Sequence, residues 1–362
     1  MTVKFGLFQT PYTHPTRTPR QTFAWAVDQV VAAEIAGFDE AWIGEHFTLA
    51  WESIPSPELV LAAAARQTER IILAPGAHLG PYHQPATLAA QTAWLSHIVE
   101  GRYILGLATG VNPVDAQLHG LKSRGENLAI TLEALDVMEK IWAGEPFEYE
   151  GTYWSSTLPD EDTADQKIRD LRPYGGKMRV SFGGASPNST SIQAAGARGL
   201  LPMSFGATPE LIANHWQTYR EAALQAGRAE ETLDRTVQRV TLLTVFAADT
   251  DAEAVAEVKN GPIGRAWREY IVPHEQHRAH RAGIKPVFDI NASMDDLIRH
   301  RMIVGSPATV AEKLNTMIDA SGGWGTALVV GHDYIDDPAP WNYSMELLAQ
   351  EVAPLLNPIA AA

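Results

Sequence analysis

The stretch GFDEAWIGEHFTLAW, residues 37–51, determines the fold assignment for this chain. Gly37 is a suitable helix end, and the short apolar run at residues 41–44 is typical of a buried strand. Glu45 and His46 follow that strand directly. In a barrel of alternating strands and helices, the residues after each strand form the active site, so His46 is a candidate acid or base. A structural role for His46 has equal weight on these residues alone.

Strand-like and helix-like segments alternate along the whole chain. Strands are predicted at residues 3–9, 41–44, 71–74, 103–107, 178–182, 200–205, 237–246 and 327–330. Helices are predicted at residues 20–36, 57–67, 85–98, 129–142, 192–197, 209–226, 307–320 and 342–356. This alternation favours an α/β fold, a (β/α)8 TIM barrel forming one domain over residues 1–362. Excursions at about residues 144–177 and 259–303 are expected as insertions over the C-terminal face of the strands.

The composition excludes several classes of function. With 28 basic and 43 acidic residues the formal net charge is −15, which repels nucleic acid and anionic membrane surfaces. The chain has no cysteine, which excludes disulfides, thiolate metal sites and a cysteine nucleophile. Neither a signal peptide nor an apolar run of membrane-spanning length is apparent, so we expect a cytoplasmic protein.

A glycine- and serine-rich loop follows the predicted strand at residues 178–182. Glycines let a backbone approach a ligand closely, and the free amides at a helix start attract anions. The alternative is an ordinary turn in which Asn188 or Ser189 caps the following helix. The candidate phosphate-binding residues in this loop are Gly183, Gly184, Ala185, Ser186, Asn188 and Ser189.

Two further strand ends carry small residues. Gly76, Ala77 and His78 follow one predicted strand, and Thr109 follows the next. Small residues converging on one mouth suggest a broad planar ligand. We interpret His83, which lies farther along the first of these loops, as an ordinary loop histidine.

Histidines also recur in the second excursion, at His274, His277 and His280. Their spacing differs from the His-Glu-x-x-His pattern of zinc hydrolases. Interleaved with arginines, they are more typical of a solvated helix face than of a metal site. We therefore expect no metal centre.

Several segments together resemble the bacterial-luciferase-like flavin monooxygenases. They are residues 42–46 (WIGEH), 101–106 (GRYILG), the loop at 183–191 and 305–314 (GSPATVAEKL). Three others are similar more narrowly to diketocamphane and limonene monooxygenases, namely residues 16–20 (TRTPR), 44–52 (GEHFTLAWE) and 81–89 (PYHQPATLA). The resemblance extends over nearly the whole chain.

The resemblance implies a dimeric barrel that uses reduced FMN from a separate reductase and reacts it with dioxygen. His46 matches the histidine beside the flavin ring, and residues 76–78 match the strand end beneath it, where the family often has a non-proline cis peptide. Residues 186–189 match the phosphate-binding loop. Thr109 stands where the luciferase subunit has an arginine, so phosphate binding must depend on amides and hydroxyls, and FMN is expected as a loosely held cosubstrate.

These features lead to one functional hypothesis with rivals. We expect a Baeyer–Villiger monooxygenase that converts an apolar cyclic ketone to a lactone or ester. His46 is the catalytic candidate, Glu45 an orienting partner that points the other way, and the candidate substrate residues are Phe8, Tyr12, Trp51 and Trp324. The alternatives are epoxidation of a terpene alkene, hydride transfer with a deazaflavin, and non-catalytic flavin binding.

Overall fold

The computed structural model describes residues 2–10, 12–121, 125–206 and 208–359. Its strands are β1 (Lys4–Gln9), β2 (Glu40–Ile43), β3 (Ile72–Pro75), β4 (His78–Leu79), β5 (Leu105–Ala108), β6 (Phe147–Glu150), β7 (Ser155–Leu158), β8 (Val180–Gly184), β9 (Leu201–Ser204), β10 (Arg239–Leu242), β11 (Val245–Ala247), β12 (Ile303–Gly305) and β13 (Thr326–Val330). Its α-helices are α1 (Pro19–Ala36), α2 (Pro57–Ala64), α3 (Pro85–Ile98), α4 (Pro113–Leu118), α5 (Asn127–Ala143), α6 (Glu161–Ala164), α7 (Thr190–Arg198), α8 (Pro209–Gln225), α9 (Asp251–Asn260), α10 (Pro262–Ala266), α11 (Val272–Ala282), α12 (Met294–Arg301), α13 (Pro307–Ser321) and α14 (Ala339–Leu347).

Eight of these strands form a parallel barrel in chain order. The sheet runs β3-β2-β1-β13-β10-β9-β8-β5, with β4 paired to β5 at its edge. A parallel backbone bridge between Leu73 and Tyr103 joins β3 to the segment that leads into β5 and closes the ring. The predicted (β/α)8 barrel is therefore confirmed.

The first strand–helix–strand unit shows how the sequence sets these boundaries. Thr18 and Gln21 form a capping box at the start of α1, with Pro19 in the first turn. Gly37 ends the helix with a φ of 111°, a left-handed conformation that favours glycine. The chain then enters β2, all of which is buried. This unit delivers residues 44–54 to the carboxyl end of the barrel.

The two ends of the barrel interior differ in character. Phe8, Trp42 and Leu328 belong to the apolar cluster that fills the barrel. At the amino end of the strands, the guanidinium of Arg239 donates to Glu40 Oε1 over 2.8 Å, and both side chains are buried. An ion pair therefore closes the end of the barrel opposite to the candidate site, and no local sequence pattern indicates it.

One predicted strand is wrong in its extent. Residues 237–246 contain two strands, because β10 stays in the barrel whereas β11 pairs in parallel with β12 outside it. The strand β12 lies where the second excursion was expected to end, at Ile303. The pairing of β11 with β12 joins segments far apart in sequence, which a local apolar pattern does not reveal.

The two excursions lie in different places. Residues 144–177 contain the β6–β7 hairpin, and the hairpin is anchored to α5 because backbone amides at 152–154 donate to Glu133. Farther along, the Tyr174 amide donates to Ser96 Oγ near the end of α3. The expectation that this segment covers the mouth is corrected, because it runs along the outside of α3 and α5. The second excursion does cover the mouth, where Tyr270 stacks on Trp51.

Trp324 is also misplaced by the sequence analysis. It is fully buried and lies just before β13, at the amino end of that strand. The candidate residues of the mouth follow the carboxyl ends of strands, so Trp324 lies at the opposite end and is not a rim residue. A separate finding concerns membranes: among the helices of the described residues, none has the length and apolar character needed to cross a bilayer.

Candidate active site

His46 lies between two buried carboxylates just after β2. Its Nε2 is 3.0 Å from Glu52 Oε2, and its Nδ1 is 3.8 Å from Asp115 Oδ2, which is beyond hydrogen-bonding distance. The loop closes on itself because the amide of His46 donates to the carbonyl of Ile54 over 2.9 Å. That closure brings Glu52, six residues farther along, back to the imidazole.

The charges around His46 determine its protonation. Burial alone lowers the pKa of His46, but the carboxylates of Glu52 and Asp115 raise it to about 10. Asp115 is held in turn by Thr48, whose hydroxyl donates to its Oδ1. Burial raises the pKa of Asp115, but His46 and Thr48 outweigh burial and lower that pKa below its ordinary value. His46 is therefore an imidazolium at neutral pH.

Glu45 points away from His46, as expected for neighbours in an extended segment. Its Oε2 accepts from the Leu79 amide over 2.7 Å, and His83 Nε2 lies 2.9 Å from both of its oxygens. His78 Nδ1 is 3.4 Å from Oε1. The interpretation of His83 as an ordinary loop histidine is wrong, because it forms an ion pair with Glu45.

The same cluster has the spacing of a metal site. One donor atom from each of Glu45, His78 and His83 lies within 4.8 Å of the others. Burial raises the pKa of Glu45, but the two histidines outweigh it and hold the pKa at about 2. Burial lowers the pKa of His83, and Glu45 raises it above its ordinary value. The His83 ring and the Leu79 amide already satisfy the carboxylate, so we assign the cluster to positioning.

The backbone near Glu45, at residues 76–78, is proposed to support a planar ring. The peptide bond between Gly76 and Ala77 is cis, as the resemblance implied. A Cβ added at Gly76 would lie 2.7 Å from the ring of Phe8. Ala77 and His78 are buried. Close packing against Phe8 thus requires glycine at this position, and Phe8 lies inside the barrel beneath the mouth.

The glycine- and serine-rich loop is fixed by two residues of α8 that the sequence analysis missed. The amide of Asn188, at a φ of 51°, donates to Asn214 Oδ1 over 2.8 Å, and the Asn214 amide donates back to Asn188 Oδ1. His215 Nε2 lies 2.9 Å from the Ser186 carbonyl. Burial lowers the pKa of His215, so it is neutral and donates to that carbonyl.

This arrangement leaves the start of α7 open to an anion. Ser189 is the N-cap residue but makes no side-chain cap within the described residues. The contacts therefore do not support the alternative of an ordinary turn in which Asn188 or Ser189 only caps the helix. Gly183 and Gly184 end β8, and Ala185 and Ser186 are exposed at the turn. Uncapped helix amides beside exposed hydroxyls suit a phosphate.

Thr109 borders the same mouth through its backbone. The side-chain amide of Asn127 donates to the Thr109 carbonyl over 2.8 Å. Asn127 is buried, and its Oδ1 has no hydrogen-bond partner among the described residues. A buried acceptor without a partner is costly unless a ligand supplies a donor. Asn127 begins α5 and was not a sequence-based candidate, because nothing in the helical pattern distinguishes it.

Aromatic rings form one side of the mouth. Trp51 and Tyr270 stack with centroids 5.6 Å apart, and Tyr12 packs edge-on against Tyr270 at 5.8 Å. Two of these residues, Tyr12 and Trp51, were predicted to lie at the rim, and the structure brings them together. Tyr270 was missed, because the second excursion carries no periodic signal that would place it.

Comparisons with known proteins identify relatives of the chain. The family model described as "Luciferase-like monooxygenase" matches residues 3–323. The chain is 42% identical to 3,6-diketocamphane 1,6-monooxygenase of Pseudomonas putida over 98% of both proteins. It is 28% identical to limonene 1,2-monooxygenase of Rhodococcus erythropolis over 98% of this chain and 92% of that protein.

Solved structures lead to the same family. The oxygenating constituent of 3,6-diketocamphane monooxygenase from Pseudomonas putida, a type II Baeyer–Villiger monooxygenase in complex with FMN, superposes with a TM-score of 0.90. The two are 43% identical, and the match covers 98% of this chain and 99% of that one. The chain belongs to the luciferase-like monooxygenase family.

Proposed function

We propose that this protein is a Baeyer–Villiger monooxygenase that uses reduced FMN and dioxygen to convert a cyclic ketone to a lactone. The observation that carries the proposal is the charged His46, which lies between Glu52 and Asp115. Residues 76–78, next to it, suit a flat ring. The relatives that act on diketocamphane support the same reaction. A separate reductase would supply the reduced FMN in the cytoplasm.

The described residues fit FMN in three places. The uncapped amides at the start of α7 and the hydroxyl of Ser186 would hold the phosphate. Residues 76–78 would support the ring, and the unpartnered Oδ1 of Asn127 would accept a hydrogen bond from the cofactor. Reduced FMN supplies the electrons that activate dioxygen when it is bound.

His46 is proposed to act as a cation and proton donor. Its pKa of about 10 makes it a poor base at neutral pH, which disfavours a role in removing a proton. Its Nδ1 has no hydrogen-bond partner within the described part of the chain, although Asp115 lies nearby. The imidazolium would donate from Nδ1 to the ketone oxygen as negative charge develops there.

The aromatic side of the mouth would bind the ketone and exclude water. Trp51, Tyr12 and Tyr270 offer apolar ring surface above the candidate histidine. Burial and then Glu52 raise the pKa of the Tyr12 and Tyr270 hydroxyls, so both stay neutral and add no charge to this wall. An apolar cyclic ketone suits such a surface.

The proposed homodimer would use the outer faces of α2 and α3. Leu59 on α2 and Trp94 and Ile98 on α3 are exposed apolar side chains. Exposed apolar groups on the outside of a protein are candidates for an interface.

The proposed function is tested with purified protein, photoreduced FMN and a panel of bicyclic ketones and terpene alkenes. Lactone from the ketones under air supports the proposal. Epoxide from the alkenes instead would support the alternative of a limonene-type epoxidation. That alternative is favoured by the 28% identity to limonene 1,2-monooxygenase. Turnover without oxygen would indicate hydride transfer, and hydrogen peroxide without product would indicate flavin binding alone.

A further inference from the structure

One carboxylate joins the second excursion to the candidate catalytic histidine. The hydroxyl of Tyr270 donates to Glu52 Oε1 over 2.5 Å, and the other oxygen of Glu52 lies 3.0 Å from His46 Nε2. The three side chains come from a helix of the excursion and from the loop after β2, more than two hundred residues apart along the chain. Neither segment alone assembles this chain of contacts.

We propose that Tyr270 is a positioning residue that fixes the Glu52 carboxylate against the imidazole of His46, so that packing of the second excursion over the barrel mouth sets the geometry of this contact. The catalytic consequence rests on the proposed function, whereas the effect on His46 itself does not. A carboxylate held at both oxygens cannot rotate away from the imidazole, and a fixed, desolvated charge acts more strongly than a mobile one.

The local fold explains how Tyr270 reaches Glu52. Tyr270 lies on the π-helical segment Trp267–Ile271, between α10 and α11. Single π-helical turns are frequent at functional sites. The segment is anchored by Trp267, which is fully buried and whose Nε1 donates to Thr244 Oγ1 over 2.9 Å. The Tyr270 ring is held separately by stacking on Trp51.

Few charged groups other than His46 face the Tyr270–Glu52 contact. Asp115 approaches from α4, on the far side of His46. Tyr12 approaches from the loop after β1 and is neutral. The His274 ring packs 5.1 Å from Tyr270, and burial lowers its pKa more than Glu52 raises it, so it too is neutral. His14 packs on Trp51, with its Nε2 3.4 Å from the exposed Glu269.

The proposal is tested by following the titration of His46 in protein without flavin. Histidine-labelled protein gives ring signals by NMR, and the His46 signal is assigned by its loss in His46→Asn. Tyr270→Phe keeps the ring and removes only the hydroxyl. Tyr343→Phe is the matched control, because Tyr343 donates to Asp249 over 2.5 Å at an exposed position away from the mouth.

We expect the His46 midpoint to fall by about one pH unit, equivalent to about tenfold in the protonation constant, in Tyr270→Phe. Glu52→Gln should lower it further, and Tyr343→Phe should leave it unchanged. The alkaline limb of kcat should move down with the midpoint. An unchanged or raised midpoint in Tyr270→Phe would overturn the proposal.

The two proposals fail in different ways. A lowered His46 midpoint in a protein that makes no lactone contradicts the proposed function and leaves the role of Tyr270 intact. Lactone formation together with an unmoved midpoint contradicts the role of Tyr270 and leaves the function intact. If Tyr270→Phe does not fold, Trp51→Leu, which removes the stacking partner of Tyr270 without touching its hydroxyl, serves instead. The proposal requires the midpoint to fall in Trp51→Leu, and an unmoved midpoint there overturns it.

Discussion

The imidazole of His46 lies 3.0 Å from the carboxylate of Glu52, and Glu52 is buried whereas His46 is half-buried. A charge-assisted contact of this length in a low-dielectric site stabilises the protonated imidazole strongly. The protein therefore presents a fixed positive charge where a ketone oxygen would become negative.

The stability that His46 contributes should decrease as the pH rises. Its folded pKa, about 10, lies above its ordinary value of 6.5, so its protonated form favours the folded state. That contribution is fully present below pH 6.5 and is lost as the pH rises through about 10. We expect the difference in melting temperature between the unchanged protein and His46→Asn to shrink across this range. A difference independent of pH would contradict the charge assigned to His46.

Replacement of Glu45 should destabilise the protein and loosen the backbone at residues 76–78. In Glu45→Gln the half-buried His83 loses its ion-pair partner, and removing one partner of a buried pair costs up to about 3–5 kcal/mol. Urea unfolding measures this loss. Glu145→Gln, at an exposed position, is the control and should stay within about 0.5 kcal/mol of the unchanged protein. Equal stability of the two variants would show that the Glu45 cluster contributes nothing.

Replacement of Asn214 should weaken binding of the cofactor phosphate. Asn214→Ala removes both hydrogen bonds to Asn188 and frees the loop before α7. We expect FMN affinity to fall about tenfold, the equivalent of one to two hydrogen bonds. Riboflavin, which lacks the phosphate, should bind both proteins equally, as measured by fluorescence quenching. An equal loss for riboflavin would place the effect on the ring instead.

Local patterns were sufficient to predict the barrel but not its exceptions. Short apolar runs bounded by glycine and proline located the eight barrel strands, because parallel strands are buried on both faces. The same rule merged β10 with β11, because what separates them is a long-range pairing with β12. It also placed Trp324 at the wrong end of the barrel. An aromatic residue next to a strand does not by itself indicate at which end of the barrel it lies.

The candidate site was predictable only in part, for a related reason. His46 and the loop at residues 183–189 follow strands directly, so their place at the mouth follows from the fold. Glu52, Asp115 and Tyr270 come from three separate segments and meet only around the folded imidazole. His83 carried no signal of its own, because its role depends on the buried Glu45.

The central claim is most directly tested by oxygen labelling. The purified protein is given photoreduced FMN, a bicyclic diketone and ¹⁸O₂, alongside His46→Asn, and the product is analysed by mass spectrometry. We predict a lactone carrying one labelled oxygen atom, with a rate at least about a hundredfold lower in His46→Asn. Unlabelled product, hydrogen peroxide alone, or equal rates in the two proteins would contradict the account.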